Sequence, residues 1–318
     1  MNGGTAVKYI GVALLIAAGF VLLTLGLAFL LFRLAFGARK TTEKEMFVLP
    51  DTDQYRPYAA EARRMIRAAL ALPYEPVTIR SDDGLTLFGR CYPAAPDAPW
   101  LLLFHGYRSA AERDFCGGLP FGMGMGCNVL LVDERAHGKS GGSCLTLGIR
   151  EWYDCRRWVD YVIGHAGPDA KIVLYGMSMG AASVLQSMDL ELNENVRGVI
   201  ADCGYSDLNT VFRNLVGQLY HLPTMFVDVF EYVNLLKAGY GFKEASSVRS
   251  VSVARVPLVY ICGDCDRYVP KDMALEIFNA CKSEKKLLLV PGAGHAASYM
   301  CAKDEYEALV REFIGRKN

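Results

Sequence analysis

Residues 10–32 run for 23 positions without a charge. A helix rises about 1.5 Å per residue, so this stretch reaches ~34 Å and can cross a ~30 Å hydrocarbon core. A buried helix of a soluble domain is seldom apolar on every side for so long. The run also exceeds the apolar core of a cleaved leader, and Phe36-Gly37-Ala38-Arg39 is a poor cleavage site. The pattern predicts an uncleaved transmembrane anchor over 9–36. The period then changes. Residues 54–72 carry Ala59, Ala62, Met65, Ile66, Ala69 and Leu70 at helical spacing, with Arg63, Arg64 and Arg67 on the other side. A basic amphipathic helix beside an anchor suits anionic headgroups or, equally, the flank of the next domain. Pro73 and Pro76 end it and close a juxtamembrane connector over 37–76.

From residue 77 short strand patterns take over. Residues 77–80 alternate, Ser81-Asp82-Asp83-Gly84 breaks the run, and 85–92 resumes it, which predicts a hairpin. Apolar runs without alternation follow at 100–104, 128–132, 171–175, 196–201, 257–262 and 286–290. Helical stretches lie between them, at 147–165, 179–188, 271–282 and 303–314. Strands apolar on both faces and alternating with helices predict a parallel sheet covered on both sides. With the antiparallel hairpin at its N-terminal edge, the plan has eight strands within an α/β domain over 77–318. Residues 204–253 are too long for a simple crossover and carry Phe212, Met225, Tyr220, Phe226, Phe230 and Tyr232. They read as a small helical cap over the active site, its apolar residues either walling an acyl chain or packing the cap itself.

Charge changes the picture little. The 318-residue chain carries 34 basic and 34 acidic residues, which gives no footprint for nucleic acid. Lys8 precedes the apolar run, whereas Arg33, Arg39, Lys40 and Lys44 follow it. The positive-inside rule then puts the C-terminal domain in the cytoplasm. The ten cysteines are scattered, as expected of buried free thiols in a reducing compartment. Cys262-Gly263-Asp264-Cys265 has neither a thioredoxin-like context nor a second ligand pair, so it predicts no redox or metal site. The glycines of residues 121–126 lack the strand before and helix after that a phosphate cradle needs. No cofactor is expected, and no oligomeric state follows from the sequence.

Candidate chemistry gathers at the carboxyl ends of the strands, where such sheets build their sites. Gly176-Met177-Ser178-Met179-Gly180 joins the 171–175 strand to a helix, the context of a nucleophile elbow. The turn is tight, the serine is strained, and the two glycines leave room where a Cβ would collide. After 100–104 comes His105-Gly106-Tyr107-Arg108, whose flexible glycine turns the next amide toward the serine. The Tyr107 N–H is assigned to an oxyanion hole with the Met179 N–H, and the His105 side chain to bracing the loop. Arg135 and His137, in the loop after 128–132, read as loop-holding residues rather than substrate contacts. The acid must follow the serine, and the base must follow the acid. Asp266, Asp264 and Asp202 compete for the acid. Asp266 is favoured because it stands just before the helix that Val269-Pro270 starts, and Asp264 reads as a turn stabiliser. Of five histidines only His295 follows, in Gly294-His295-Ala296 after the last strand. Ser178, Asp266 and His295 thus specify acyl transfer.

These motifs resemble a family. The chain from about residue 77 to 313 is similar to alpha/beta-hydrolase-fold serine hydrolases, in the membrane-anchored esterase branch related to serine aminopeptidases and prolyl-oligopeptidase-type domains. The resemblance rests on Ser81-Asp82-Asp83-Gly84-Leu85, Phe104-His105-Gly106, Asp133-Glu134-Arg135-Ala136-His137-Gly138-Lys139-Ser140, the Ser178 pentapeptide, Gly263-Asp264-Cys265-Asp266 and Gly294-His295-Ala296. It too favours Asp266, and Cys265 between the aspartates is its one departure. It implies the fold and a Ser-His-Asp triad, but leaves the substrate open, since one fold hosts many functions. An ester comes first, a peptide or amide second, with Asp228 and Glu231 as weak candidates for holding a peptide N-terminus. A non-catalytic membrane scaffold comes third.

Overall fold

The structure is a computed structural model that describes residues 3–38, 40–189, 192–219, 221, 223–244 and 246–315. Arg39 of the basic flank and Tyr220 of the cap segment lie outside the described residues. Eight strands form one sheet in the order β1-β2-β4-β3-β5-β6-β7-β8. They are β1 (Glu75–Arg80), β2 (Thr86–Tyr92), β3 (Trp100–Phe104), β4 (Asn128–Asp133), β5 (Ile172–Met177), β6 (Val196–Asp202), β7 (Leu258–Gly263) and β8 (Lys285–Val290). The β1–β2 and β2–β4 pairs are antiparallel and the rest parallel, so the hairpin does form the N-terminal edge. The principal helices are α1 (Gly3–Phe36), α2 (Ala59–Leu70), α3 (Gly118–Gly124), α4 (Glu151–Ala166), α5 (Met179–Ser187), α6 (Leu208–Asn214), α7 (Met225–Ala238), α8 (Ser247–Val253), α9 (Lys271–Ala280) and α10 (Lys303–Ile314).

The unalternating strand runs have a direct cause. Leu102 and Phe104 of β3 enter one core, with Trp158 of α4 and Val184 of α5. Leu101 and Leu103 enter the other, with Leu119 of α3 and Val310 of α10. Successive side chains point to opposite faces, and both faces are covered. α2 packs on the second face through Ala69, while Arg63, Arg64 and Arg67 stay exposed. It is the flank of the domain that takes this helix.

α3 was not anticipated. Three of its seven residues are glycine, and a Cβ on Gly122 would meet Leu101 at 2.9 Å. Close packing on the sheet overrides poor helix propensity there. The 204–253 segment also divides differently from a simple cap. α6 and α7 share an apolar cluster with Leu145, Leu147, Met179 and Val269. α8 instead buries Val251 in the sheet-face core and serves as the crossover helix to β7.

α1 is one helix long and apolar enough, over Lys8–Phe36, to cross a membrane. Its shaft is exposed, but its last turn buries Phe32 and Phe36. The Phe36 ring meets Phe212 at 5.7 Å and Phe242 at 6.1 Å. The Leu145 N–H then donates to the Phe36 carbonyl (2.7 Å), and the Ala38 N–H to the Ser143 carbonyl (3.0 Å). The helix end is therefore fixed on the α/β domain.

Candidate active site

β5 delivers Ser178 at its carboxyl end, and α5 begins at the next residue. Ser178 has φ 55° and ψ −112°, outside the regions an L-residue favours. Its N–H donates to the Asp202 carbonyl at 2.8 Å, which ties the strained turn to β6. A Cβ on Gly176 would lie 2.2 Å from the Gly180 carbonyl oxygen, and one on Gly180 would lie 2.0 Å from that of Phe104. Only glycine permits this crossing of strand, turn and helix.

Three more strand ends converge on the serine. The loop after β8 brings His295 Nε2 to 2.8 Å from Ser178 Oγ. The loop after β7 brings Asp266 Oδ2 to 2.6 Å from His295 Nδ1. Asp266 Oδ1 accepts from the Tyr268 and Val269 amides at 2.8 and 2.9 Å, so the carboxylate is fixed on both sides. The carboxylate side chain is fully buried and the imidazole only 17% exposed. With a carboxylate at Nδ1, that nitrogen carries the proton and Nε2 presents its lone pair to the serine hydroxyl. Burial pushes the imidazole pKa down, but Asp266, with Asp202 and Asp114 behind it, outweighs this, and the net shift is upward.

The rival aspartates are otherwise engaged. Asp264 Oδ1 accepts from the Gly292 N–H at 2.7 Å and staples the two loops together. Asp202 accepts from the Tyr306 hydroxyl at 2.9 Å, and burial lifts its pKa to about 7.

The loop after β3 runs beside the serine: a Cβ on Gly106 would lie 3.2 Å from Ser178 Cβ. Side chains of the neighbouring loops hold this one. The Gly106 N–H donates to Asp114 Oδ2 (2.7 Å), and the Arg108 N–H to His137 Nε2 (3.0 Å). His105 Nε2 accepts from the Glu134 N–H (3.1 Å), and its Nδ1–H donates to the Gly106 carbonyl (2.8 Å). Burial lowers both imidazoles, His137 to about 3, so they stay neutral and can accept. Arg135 binds Asp154 at 2.7 Å and Asp83 at 2.9 Å. His105, Arg135 and His137 are thus bracing residues. The same loop reaches α1: the Tyr107 hydroxyl donates to the Ala35 carbonyl (2.5 Å) and the Arg108 guanidinium to the Leu34 carbonyl. These side chains satisfy carbonyls that a helix end leaves without partners.

A cavity of about 310 Å³ opens beside Ser178 and His295. Leu49, Ile66, Phe115, Met177 and Met300 supply apolar wall, and Arg108, Arg113 and Asp114 also line it. Its outer wall is the connector, not the 204–253 segment, which contributes no lining residue among those described. The buried apolar side chains of α6 and α7 are instead turned toward α1 and the loop around Leu145. Tyr55 donates to the His295 carbonyl (2.7 Å) and Gln54 Nε2 to the Cys265 carbonyl (2.8 Å), clipping the connector across the acid and base loops.

The model of a family described as the alpha/beta hydrolase family matches residues 101–311, two thirds of the chain. The chain belongs to the alpha/beta hydrolase family. Membership supports a hydrolase enzyme. The uncharacterized protein YqkD of Bacillus subtilis (strain 168) is 26% identical over 195 residues, 61% of this chain and 64% of its own. The match thus spans a little under two thirds of that relative's length. Protein bem46 of Schizosaccharomyces pombe is 24% identical over 259 residues, 78% of each chain. The Pyrococcus furiosus esterase Pf2001 superposes with a TM-score of 0.63 at 23% identity, covering 78% of this chain and 93% of that one, and shares its fold.

In this alpha/beta hydrolase Cys203, Asp266 and His295 bring ligand-type atoms within 4.8 Å of one another. They do not make a metal site. Burial holds the Cys203 thiol protonated, and the imidazole and carboxylate already bind each other. Gln54, Tyr55 and Asp114 are the site residues that sequence patterns missed. Their only signal was polarity, and the partners of Gln54 and Tyr55 lie far along the chain.

Proposed function

We propose that this alpha/beta hydrolase is a membrane-tethered serine hydrolase that cleaves a small carboxylic ester through Ser178, His295 and Asp266. The observation that carries the reading is the unbroken hydrogen-bond chain from Ser178 Oγ through His295 to Asp266, at the mouth of a mainly apolar cavity. His295 Nε2 takes the hydroxyl proton as Ser178 Oγ attacks the ester carbonyl carbon. Asp266 holds the imidazole tautomer and stabilises the imidazolium. The Tyr107 and Met179 N–H groups receive the negative oxygen, and one such donor contributes about 3 kcal/mol in other hydrolases. The imidazolium returns its proton to the leaving alkoxide, which departs as the alcohol. Water, deprotonated by the same Nε2, then attacks the acyl-enzyme and frees the acid with Ser178 restored.

A cavity of about 310 Å³ lies at the small end of ligand pockets, which supports a short acyl or alcohol group. The Pyrococcus furiosus neighbour is an esterase, which supports an ester over an amide. The peptidase reading loses its anchors. Asp228 is paired with Arg213, Glu231 does not line the cavity, and Asp114 is occupied by Gly106 and Ser109. A scaffold would have no use for a strained serine aligned with a buried imidazole. The apolar α1 serves as the anchor, and the basic residues after it, with the free thiols, support a cytoplasmic domain.

The test is turnover of p-nitrophenyl esters of graded acyl length against aminoacyl p-nitroanilides, by the full chain in detergent. Short esters are expected to react fastest, with Ser178→Ala inactive. No turnover of any ester above that of Ser178→Ala would sink the proposal.

A further inference from the structure

α7 presents an apolar stripe that none of the described residues covers. Met225, Val229, Tyr232 and Leu236 recur at helical spacing and are 65%, 40%, 61% and 64% exposed. Exposed Asp228, paired with Arg213, separates Leu235 from this stripe, and buried Val233 separates Phe226 from it. The opposite side of the same helix is well used: Val227 is buried in the cap cluster, and buried Asn234 donates to the Tyr240 carbonyl at 2.7 Å. Gly239, with φ 73°, stops the helix by donating to the Leu235 carbonyl at 3.1 Å. The stripe therefore belongs to a well-formed helix with a fixed inner face. Exposed large side chains scattered singly need no explanation, but four in one stripe of one helix do.

Its surroundings identify what covers it. α7 packs directly against α1, the one helix among the described residues apolar and long enough to span a bilayer. The last turn of α1 is sunk into the cap through Phe32 and Phe36, while its shaft exposes Leu22, Leu23, Phe29, Leu30 and Leu34. The apolar surface of α7 thus continues that of the anchor. Cations follow the apolar run along the chain: Arg33 in the last turn of α1, then Lys40 and Lys44, all exposed. Basic side chains at that level complement anionic headgroups. Tyr232 is of the type enriched where acyl chains meet headgroups.

We infer that α7 is a second membrane contact of this protein, lying in the interface of the same bilayer that α1 spans, with Met225, Val229, Tyr232 and Leu236 among the acyl chains. The inference rests on the anchor reading of α1 and is independent of the triad. Two points of attachment fix the orientation of the domain, where a single helix would leave it free to tilt. The loop that rims the cavity is held to the end of α1 by Tyr107 and Arg108, so the cavity mouth is kept near the headgroups.

The experiment reconstitutes the full chain in phosphatidylcholine–phosphatidylserine vesicles carrying a lipid with a photoactivatable carbene group in its acyl chain. After illumination the labelled peptides are mapped by mass spectrometry. Label is expected on residues 10–32 and on 225–236, and not on the exposed helix α2. The double variant Tyr232→Glu, Leu236→Glu changes exposed positions only. It should lose the label on 225–236, keep that on 10–32, and still hydrolyse a water-soluble ester. Label on 10–32 alone would overturn the inference and leave the anchor standing. Label on neither would overturn both. Cross-linking of position 232 to a second copy, with no lipid label there, would assign the stripe to self-association and overturn the inference equally.

Discussion

Replacing Asp266 by asparagine tests the site at its most constrained atom. Asp266 Oδ1 accepts two backbone N–H groups, from Tyr268 and Val269, at 2.8 and 2.9 Å. An asparagine must keep an acceptor there, so its Oδ1 stays and its amide NH2 replaces Oδ2. That group can only donate, and it faces His295 Nδ1 at a position now 2.6 Å from oxygen. The imidazole answers by moving its proton to Nε2, where it points at Ser178 Oγ and can no longer accept from it. The fold is kept and the base is disabled. In triads of this kind the wrong tautomer lowers kcat by about 10⁴, which is ~5.5 kcal/mol of barrier. Stopped-flow hydrolysis of p-nitrophenyl acetate, read as both burst and steady state, measures it. Asp264→Asn is the control, because its Oδ1 can still accept from the Gly292 N–H, and activity should stay within a few-fold. A loss under about tenfold in Asp266→Asn would refute the assignment of the acid and the tautomer argument with it.

Three further outcomes follow from the geometry. Because the His295 pKa is raised above 6.5 and only the neutral imidazole accepts a proton, kcat/KM should fall on the acid side with a midpoint above that value. Asp202→Asn removes a buried carboxylate that helps to raise it, so the midpoint should move down; an upward move or none would contradict the electrostatics. Phe36→Ala empties a site only 1% exposed, between Phe212 and Phe242, and should cost about 3–5 kcal/mol in unfolding of the α1–cap contact. Denaturant melts with a fluorophore on the cap check this, and a cost below ~1 kcal/mol would mean that the helix end is not held there.

The sheet was legible because β3, β4, β5 and β7 are buried on both faces and so wrote unbroken apolar runs. The elbow was legible because its spacing is a steric demand: a Cβ at Gly176 or Gly180 would overlap backbone. Order along the chain then singled out His295. What stayed hidden depends on tertiary placement. Gln54 and Tyr55 meet their partners 211 and 240 residues away, so no local pattern marks the connector as the cavity wall. Phe212 and Phe230 read as part of a lid on the site, yet they pack in one cluster with Phe36 and Leu145, a choice composition does not encode. α8 carries a polar, serine-rich sequence and is a core helix only because Val251 finds the sheet.

The central claim is that Ser178 is a nucleophile activated by His295. Labelling the full chain with a fluorophosphonate probe, with the adduct located by mass spectrometry, tests it most directly. The account predicts one adduct on Ser178, absent in Ser178→Ala and much reduced in His295→Ala. A folded wild-type protein that takes no label, or takes it equally after His295→Ala, would contradict it.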